Sequence, residues 1–174
     1  MSHFGFSFDV SRCSGCMACE VACMDQNDWI SEGVNYRQVT RNEEANGSDI
    51  RITFLSLACL HCADPPCARA CPNMAISKAD DYGAVEVNRS RCIGCHACQI
   101  VCPFGAVKFT RLGKMAKCDL CVVRLRNGLK PACVLTCPTR ALDVGTLESV
   151  STGRAERASY KILKHPQSFA DSIF

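Results

Sequence analysis

Residues 92–103 read Cys92-Ile93-Gly94-Cys95-His96-Ala97-Cys98-Gln99-Ile100-Val101-Cys102-Pro103, a C-x2-C-x2-C-x3-C-P run. Working outward, the same cysteine spacing returns at residues 13–23, CSGCMACEVAC, where Met24 stands in place of the proline. Two looser groups complete the set. Cys59, Cys62, Cys67 and Cys71 are spaced C-x2-C-x4-C-x3-C, and Cys118, Cys121, Cys133 and Cys137 are spaced C-x2-C-x11-C-x3-C. Together the four groups use all 16 cysteines of the 174-residue chain, and three of them end in Cys-Pro (Cys71-Pro72, Cys102-Pro103, Cys137-Pro138).

That spacing is the ligand pattern of iron–sulfur cubanes. Three closely spaced cysteines wrap one cube and turn backbone N–H groups toward its sulfurs. The fourth is expected to start a helix that points away, and so to ligate the other cluster of a pair. Gly15, Ala18, Gly94 and Ala97 are small enough to sit between neighbouring ligands, and glycine accepts the positive φ that a tight curl needs. Two other chemistries explain dense cysteine less well. Disulfide scaffolds belong to oxidising compartments, and tight triplets suit a shared metal better than pairwise bridges. Structural zinc takes two C-x2-4-C pairs per site, which leaves the third cysteine of each triplet and the trailing Cys-Pro without a purpose.

Composition agrees with metal-dependent folding. The apolar fraction is 48% with cysteine counted; without the ligands it falls to roughly 39%, a thin core. Cluster bonding is therefore expected to supply folding free energy, and the iron-free chain to be mostly unfolded. The formal charge of +3 becomes about −5 once four anionic clusters are bound. Arg12, Arg69, Arg91, Lys117, Arg124 and Arg140 then read as counter-charges to clusters rather than a nucleic-acid patch. The opening MSHFGFSFDVSRC has neither a positively charged start nor a long apolar stretch, so no secretory signal is expected. No apolar run is long enough to span a bilayer, so any membrane contact is expected through a partner.

The chain is an internal repeat. CPNMAI, CPFGAV and CPTRAL follow three of the cysteine groups, and in each Cys-Pro is expected to open a short turn of helix before an apolar strand. Ala75–Lys78 and Ala84–Val87 flank a turn at Asp80-Asp81-Tyr82-Gly83, and Ala106–Thr110 turns at Leu112-Gly113 into Met115–Lys117. These read as hairpins, and the motif–helix–hairpin–motif order is that of a two-cluster ferredoxin. Outside it, Val34–Thr40 and Ile50–Leu57 read as an inserted hairpin around a polar tip NEEANGSD. Ala155–Lys164 reads as a helix stopped by His165-Pro166, before an extended QSFADSIF end. The stretch VVRLRNGLKPA between Cys121 and Cys133 reads as a solvated loop, or else as a basic docking surface. His61 and His96 sit inside complete cysteine sets, so packing around the ligands is the expected role. Trp29 is expected to pack in a core or an interface. No dinucleotide fingerprint, P-loop or nucleophile elbow is present, so no catalytic site of the chain's own is expected.

These residues resemble the four-cluster iron–sulfur subunits of multi-subunit oxidoreductases. The family includes the electron-transfer subunits of dimethyl sulfoxide, polysulfide and nitrate reductases, formate dehydrogenases, formate hydrogenlyase, carbon monoxide dehydrogenase and the tungsten aldehyde oxidoreductases. The resemblance runs over residues 6–145, from the Phe6-x-Phe8-Asp9-x-x-Arg12-Cys13 opening to Cys137-Pro138. It is specific for the type of subunit and not for its partner. The chain is shorter than relatives that carry a C-terminal membrane helix or an extended tail.

The resemblance implies an α+β fold of tandem, nested, pseudo-twofold bacterial ferredoxin-like units, with short helices and β-hairpins around four [4Fe–4S] clusters. It divides the chain into a double four-cluster domain, 1–145, and a tail, 146–174. Within the domain it implies an outer unit (6–24 with 115–145), an inner unit (58–114) and an inserted hairpin (25–57). It implies that Cys13, Cys16, Cys19 and Cys137 hold cluster 1, and Cys23, Cys118, Cys121 and Cys133 cluster 2. Cluster 3 falls to Cys59, Cys62, Cys67 and Cys102, and cluster 4 to Cys71, Cys92, Cys95 and Cys98.

The expected function is a relay of single electrons between a large molybdenum- or tungsten-pterin catalytic subunit and a second redox partner, which could be a flavin, membrane, ferredoxin or hydrogenase subunit. The rivals are a freestanding polyferredoxin-like shuttle and the electron-transfer subunit of a hydrogenase or carbon monoxide dehydrogenase. Cytoplasm is the expected location, with export on a signal-bearing partner as the alternative.

Overall fold

The computed structural model describes residues 3–28, 33–47, 49–79 and 81–164. Trp29, Asp80, His165-Pro166 and the QSFADSIF end lie outside the described residues. Strands pair only as two-stranded antiparallel ribbons among the described residues. β1 (Phe4–Phe8) pairs with β8 (Leu142–Thr146), joining residues near the two ends of the cysteine-bearing stretch. β2 (Arg37–Asn46) and β3 (Asp49–Ala58) form the long inserted hairpin. β4 (Ile76–Lys78) pairs with β5 (Val85–Val87), and β6 (Lys108–Phe109) with β7 (Met115–Ala116).

Four helices carry cysteines of the groups, three of them only four residues long. α1 (Ala18–Gln26) carries Cys19 and Cys23, while α2 (Pro66–Arg69), α3 (Ala97–Ile100) and α5 (Ala132–Leu135) carry Cys67, Cys98 and Cys133. The sequence reading had the fourth cysteine of each group starting a helix. Instead, Cys71, Cys102 and Cys137 follow the ends of α2, α3 and α5. The cause is proline, whose ring disfavours the α conformation in the residue before it. Each Cys-Pro then makes a turn, closed by N–H donation from Met74 to the Cys71 carbonyl (3.1 Å), Gly105 to Cys102 (3.3 Å) and Arg140 to Cys137 (3.2 Å). Those three donor residues all have positive φ. Where Met24 replaces proline nothing stops the helix, and α1 runs past Cys23 to nine residues against the four of α2, α3 and α5.

A second repeat precedes the first and third groups. Asp9-x-Ser11-Arg12-Cys13 and Asn88-x-Ser90-Arg91-Cys92 form the same capped turn. In each, the first side chain accepts the amide (3.1 Å) and hydroxyl (2.6 Å) of the serine two residues on.

Three further boundaries differ from the sequence reading. The inserted hairpin pairs as far as Asn46 and Asp49, so most of the NEEANGSD tip is strand rather than turn. The segment after Cys121 is not all loop: α4 (Val122–Arg126) buries Val122 and Leu125. α6 (Leu147–Lys164) starts directly after β8, eight residues earlier than the sequence suggests, where Ser149 bonds Thr146 at the helix entry.

Cysteines are core residues here. One buried cluster packs Cys23, Cys59 and Cys118 with Val34, Tyr36 and three alanines; a second holds Cys67 and Cys98; a third holds Cys19 and Cys133. A fourth cluster, Ala84, Leu120, Val122 and Leu125, is apolar without them.

Candidate metal centres

Three cavities in the structure each have four cysteines in their walls. One is lined by Cys71, Cys92, Cys95 and Cys98, a second by Cys59, Cys62, Cys67 and Cys102, and a third by Cys13, Cys16, Cys19 and Cys137. The three hollows are alike in size, about 20 Å³ each. The remaining four cysteines gather around Cys23: it neighbours Cys133, Cys121 and Cys118, and Cys121 neighbours Cys133. Among the described residues no three His, Cys, Asp or Glu side chains converge as ligands of a single ion. The thiols stand around spaces instead, as ligands of a multi-iron cluster would.

The four sets follow one another. Cys19 neighbours Cys133, Cys23 and Cys118 share a buried cluster with Cys59, and Cys67 neighbours Cys98.

The backbone around each set is curled alike. The second residue after the first cysteine of every group has positive φ: Gly15 (70°), His61 (48°), Gly94 (74°) and Leu120 (63°). At Gly94 a Cβ would meet the Gly113 carbonyl oxygen at 2.6 Å, so glycine is required there by space as well as by φ. Main-chain N–H groups reach the sulfurs, from Ala75 to Cys71 (3.2 Å), Met115 to Cys92 (3.4 Å), Leu120 to Cys118 (3.4 Å) and Ala141 to Cys137 (3.3 Å). Such donors favour the thiolate form. At Cys137 burial acts in the opposite direction, but donors from Leu142, Thr139 and Ala141 outweigh it and hold the thiol below its usual value. Burial pushes Cys23 up to about 12 and Cys98 and Cys121 up to about 11.

Three buried polar atoms lack a hydrogen-bond partner among the described residues: Nε and Nη2 of Arg37, and Nε2 of His61. All belong to residues packed beside the thiols. His61 Nδ1 accepts the Val85 N–H at 2.9 Å, so the proton of the neutral ring is on Nε2 and the unpaired atom is a donor. Soft thiols in fours, amide donors aimed at sulfur and unspent buried donors fit a polyanionic iron–sulfur cluster.

The profile described as a 4Fe-4S dicluster domain matches residues 50–147, and one described as a 4Fe-4S binding domain matches residues 10–25. This protein belongs to the 4Fe-4S dicluster family. It is 41% identical over 169 residues to the B subunit of anaerobic dimethyl sulfoxide reductase from Haemophilus influenzae, covering 91% of this sequence and 82% of that one. Its identity to the Escherichia coli protein of the same name is 39%, with 91% and 80% covered. To the thiosulfate reductase electron transfer subunit PhsB of Salmonella typhi it is 42% over 144 residues, with 80% and 74% covered.

Within this family frame the counter-charges fall differently from the sequence reading. Of the six basic residues picked out beside the motifs, only Lys117 is buried. Its Nζ donates to the carbonyls of Val85 and Cys118, and its side chain lines the Cys59–Cys102 cavity. Arg69 is exposed and pairs with Asp64. The basic residues after Cys121 are held locally: Arg124 by Gln26 and the Lys130 carbonyl, Arg126 by Asp81, and Lys130 by Asp143. Arg37, which carries the two unpaired donors, does not stand out from the sequence. A signal was nonetheless present in period-2 alternation: Val39 is buried with Gln38 and Thr40 exposed, so Arg37 shares the inward face.

His96 stands at the start of α3 with positive φ, stacks on Phe109 at 3.8 Å and contacts Gln99.

Proposed function

We propose that each of the four cysteine sets holds a [4Fe–4S] cluster, and that the chain relays electrons between a molybdenum- or tungsten-pterin catalytic subunit and a second redox partner. The observation that carries this reading is the succession of thiol sets, each neighbouring the next, from Cys13/Cys16/Cys19/Cys137 to Cys71/Cys92/Cys95/Cys98. Bound clusters supply one-electron redox chemistry over a potential range that the protein sets through charge, hydrogen bonds and exposure. The protein's own contribution is to space the sulfurs, direct amide N–H groups at them and exclude water. Relatives named as the B subunit of dimethyl sulfoxide reductase and as an electron transfer subunit of thiosulfate reductase support the role of a bound subunit. Among the described residues no helix is long and apolar enough to cross a membrane.

The test is purification of the native complex with metal analysis. The expected result is co-elution with a large pterin-bearing protein and about 16 iron and 16 sulfide per polypeptide, four to each cubane. Elution as a small monomer would identify a freestanding shuttle. Half that iron content, or zinc in its place, would overturn the cluster assignment.

A further inference from the structure

Arg37 is an arginine where burial alone would select an apolar residue. It stands on the inward face of β2, paired in register with Ala58, and only 2% of it is exposed. Two neighbours fix its guanidinium. Nη1 donates to the carbonyl and hydroxyl of Ser56 at 3.3 and 3.2 Å, and the Phe6 ring lies 4.8 Å from Cζ. The Ser56 hydroxyl is itself 3.4 Å from the Cys19 sulfur. Nε and Nη2 have no oxygen or nitrogen partner, the Cys133 thiol lies close enough to bond the guanidinium, and among the described residues no carboxylate pairs with this arginine.

A permanently charged group that is buried and unpaired is strongly destabilising unless an opposite charge faces it. The groups whose negative charge would act most on Arg37 are the thiols of Cys133, Cys118 and Cys19. Its own charge acts in turn on Cys19, Cys23 and Cys118. Cys19 belongs to one thiol set, and Cys23, Cys118 and Cys133 to the next. Arg37 therefore stands at the junction of two candidate centres, brought there by the inserted hairpin, which contributes no ligand.

We propose that Arg37 sets the reduction potentials of the two clusters it stands between, the one ligated through Cys19 and the one ligated through Cys118 and Cys133, holding both higher than a neutral residue would. The inference rests on the four-cluster reading. An electron from a one-electron reductant adds negative charge to an already anionic centre, and a nearby buried cation stabilises the reduced form more than the oxidised one. The hairpin then acts as an electrostatic wedge between the centres as well as a cover. Lys117 occupies a related place between Cys118 and the Cys59–Cys102 cavity, so the downstream junction has a cation of its own.

The experiment is a redox titration, followed by electron paramagnetic resonance, of the complex carrying Arg37→Gln, Arg37→Met or Arg37→Lys. Signals are assigned by their loss in Cys13→Ser and Cys118→Ser variants. Iron and sulfide in the unmutated complex are measured first: a shortfall there overturns the cluster reading, whereas full content passes the question to Arg37. The expected result is that the two flanking midpoints shift downward in both neutral variants, the other two stay in place, and Arg37→Lys keeps most of the wild-type values. Unchanged flanking midpoints in either neutral variant would overturn the proposal, as would equal shifts at all four centres or a lysine variant that behaves like glutamine. Loss of the flanking clusters in both neutral variants would also overturn it, since Arg37 would then be a structural support.

Discussion

Gly15 lies under the ring of Phe54, and a Cβ at Gly15 would sit 2.4 Å from the nearest ring carbon. The contact presses the inserted hairpin onto the loop of the first cysteine group, at a residue whose φ of 70° already favours glycine. Gly15→Ala meets both obstacles, backbone strain and overpacking, and should destabilise the loaded protein by about 2 kcal/mol. Phe54→Ala in the same molecule should recover the packing part and leave the backbone part. A denaturant midpoint for each single variant and the double variant checks this; additive losses would mean that the two residues do not press on one another.

His61 Nδ1 is the acceptor for the buried Val85 amide. His61→Phe leaves that N–H unpaired and should destabilise by about 1–3 kcal/mol. His61→Asn should be milder, because Oδ1 can take the place of Nδ1 and asparagine tolerates positive φ. Thermal unfolding of the two loaded variants compares them, and a larger loss in His61→Asn than in His61→Phe would show that ring packing, not the hydrogen bond, is the role.

Cys98→Ser should disable the centre that also uses Cys71, Cys92 and Cys95, and leave the centres of Cys19 and Cys118 intact. The cavity lining and the separation of buried clusters motivate the expectation. Spectroscopic loss at the Cys13/Cys16/Cys19 centre instead would show the grouping to be wrong.

Iron removal should unfold most of the chain, since cysteines occupy three of the four buried clusters. Reassembly from the unfolded chain must deprotonate thiols, which free cysteine largely keeps protonated at neutral pH. Bound metal displaces those protons, so uptake should weaken as pH falls through the neutral range and strengthen toward alkaline pH. Cluster absorbance on reconstitution across that range measures it; uptake independent of pH would mean that the thiols are already ionised.

The sequence made the sulfur chemistry and the local hairpins legible because both are short-range. Ligand spacing lies within a few residues, and apolar alternation around Gly-containing turns located the ribbons that became β4–β5 and β6–β7. What stayed hidden depended on competition between neighbours or on distant packing. Proline after the fourth cysteine could be read as opening a helix or ending one, and only its steric effect on the preceding residue decides for ending. The pairing of Phe4–Phe8 with Leu142–Thr146 joins segments too far apart for any local pattern. Arg37 escapes a reading that seeks charge beside the cysteines along the sequence, because the hairpin delivers it through space.

Electrons should cross the protein in a defined direction. Large apolar side chains are exposed at both ends of the succession of thiol sets: Met17, Val21 and Leu135 near the Cys13–Cys137 set, and Met74, Ile93 and Ile100 near the Cys71–Cys98 set. We expect the protein to present Cys13, Cys16, Cys19 and Cys137 to the pterin-bearing subunit, and Cys71, Cys92, Cys95 and Cys98 to the second partner. A Cys92→Ser variant breaks the second of these ends. Electron exchange with the second partner should then be lost, while substrate-driven reduction of the centre beside the catalytic subunit survives in a single turnover. Freeze-quenched spectra of the assembled complex read both events. Loss of substrate-driven reduction at every remaining centre, with assembly intact, would reverse the polarity, because electrons would then have to enter through the end that Cys92 holds.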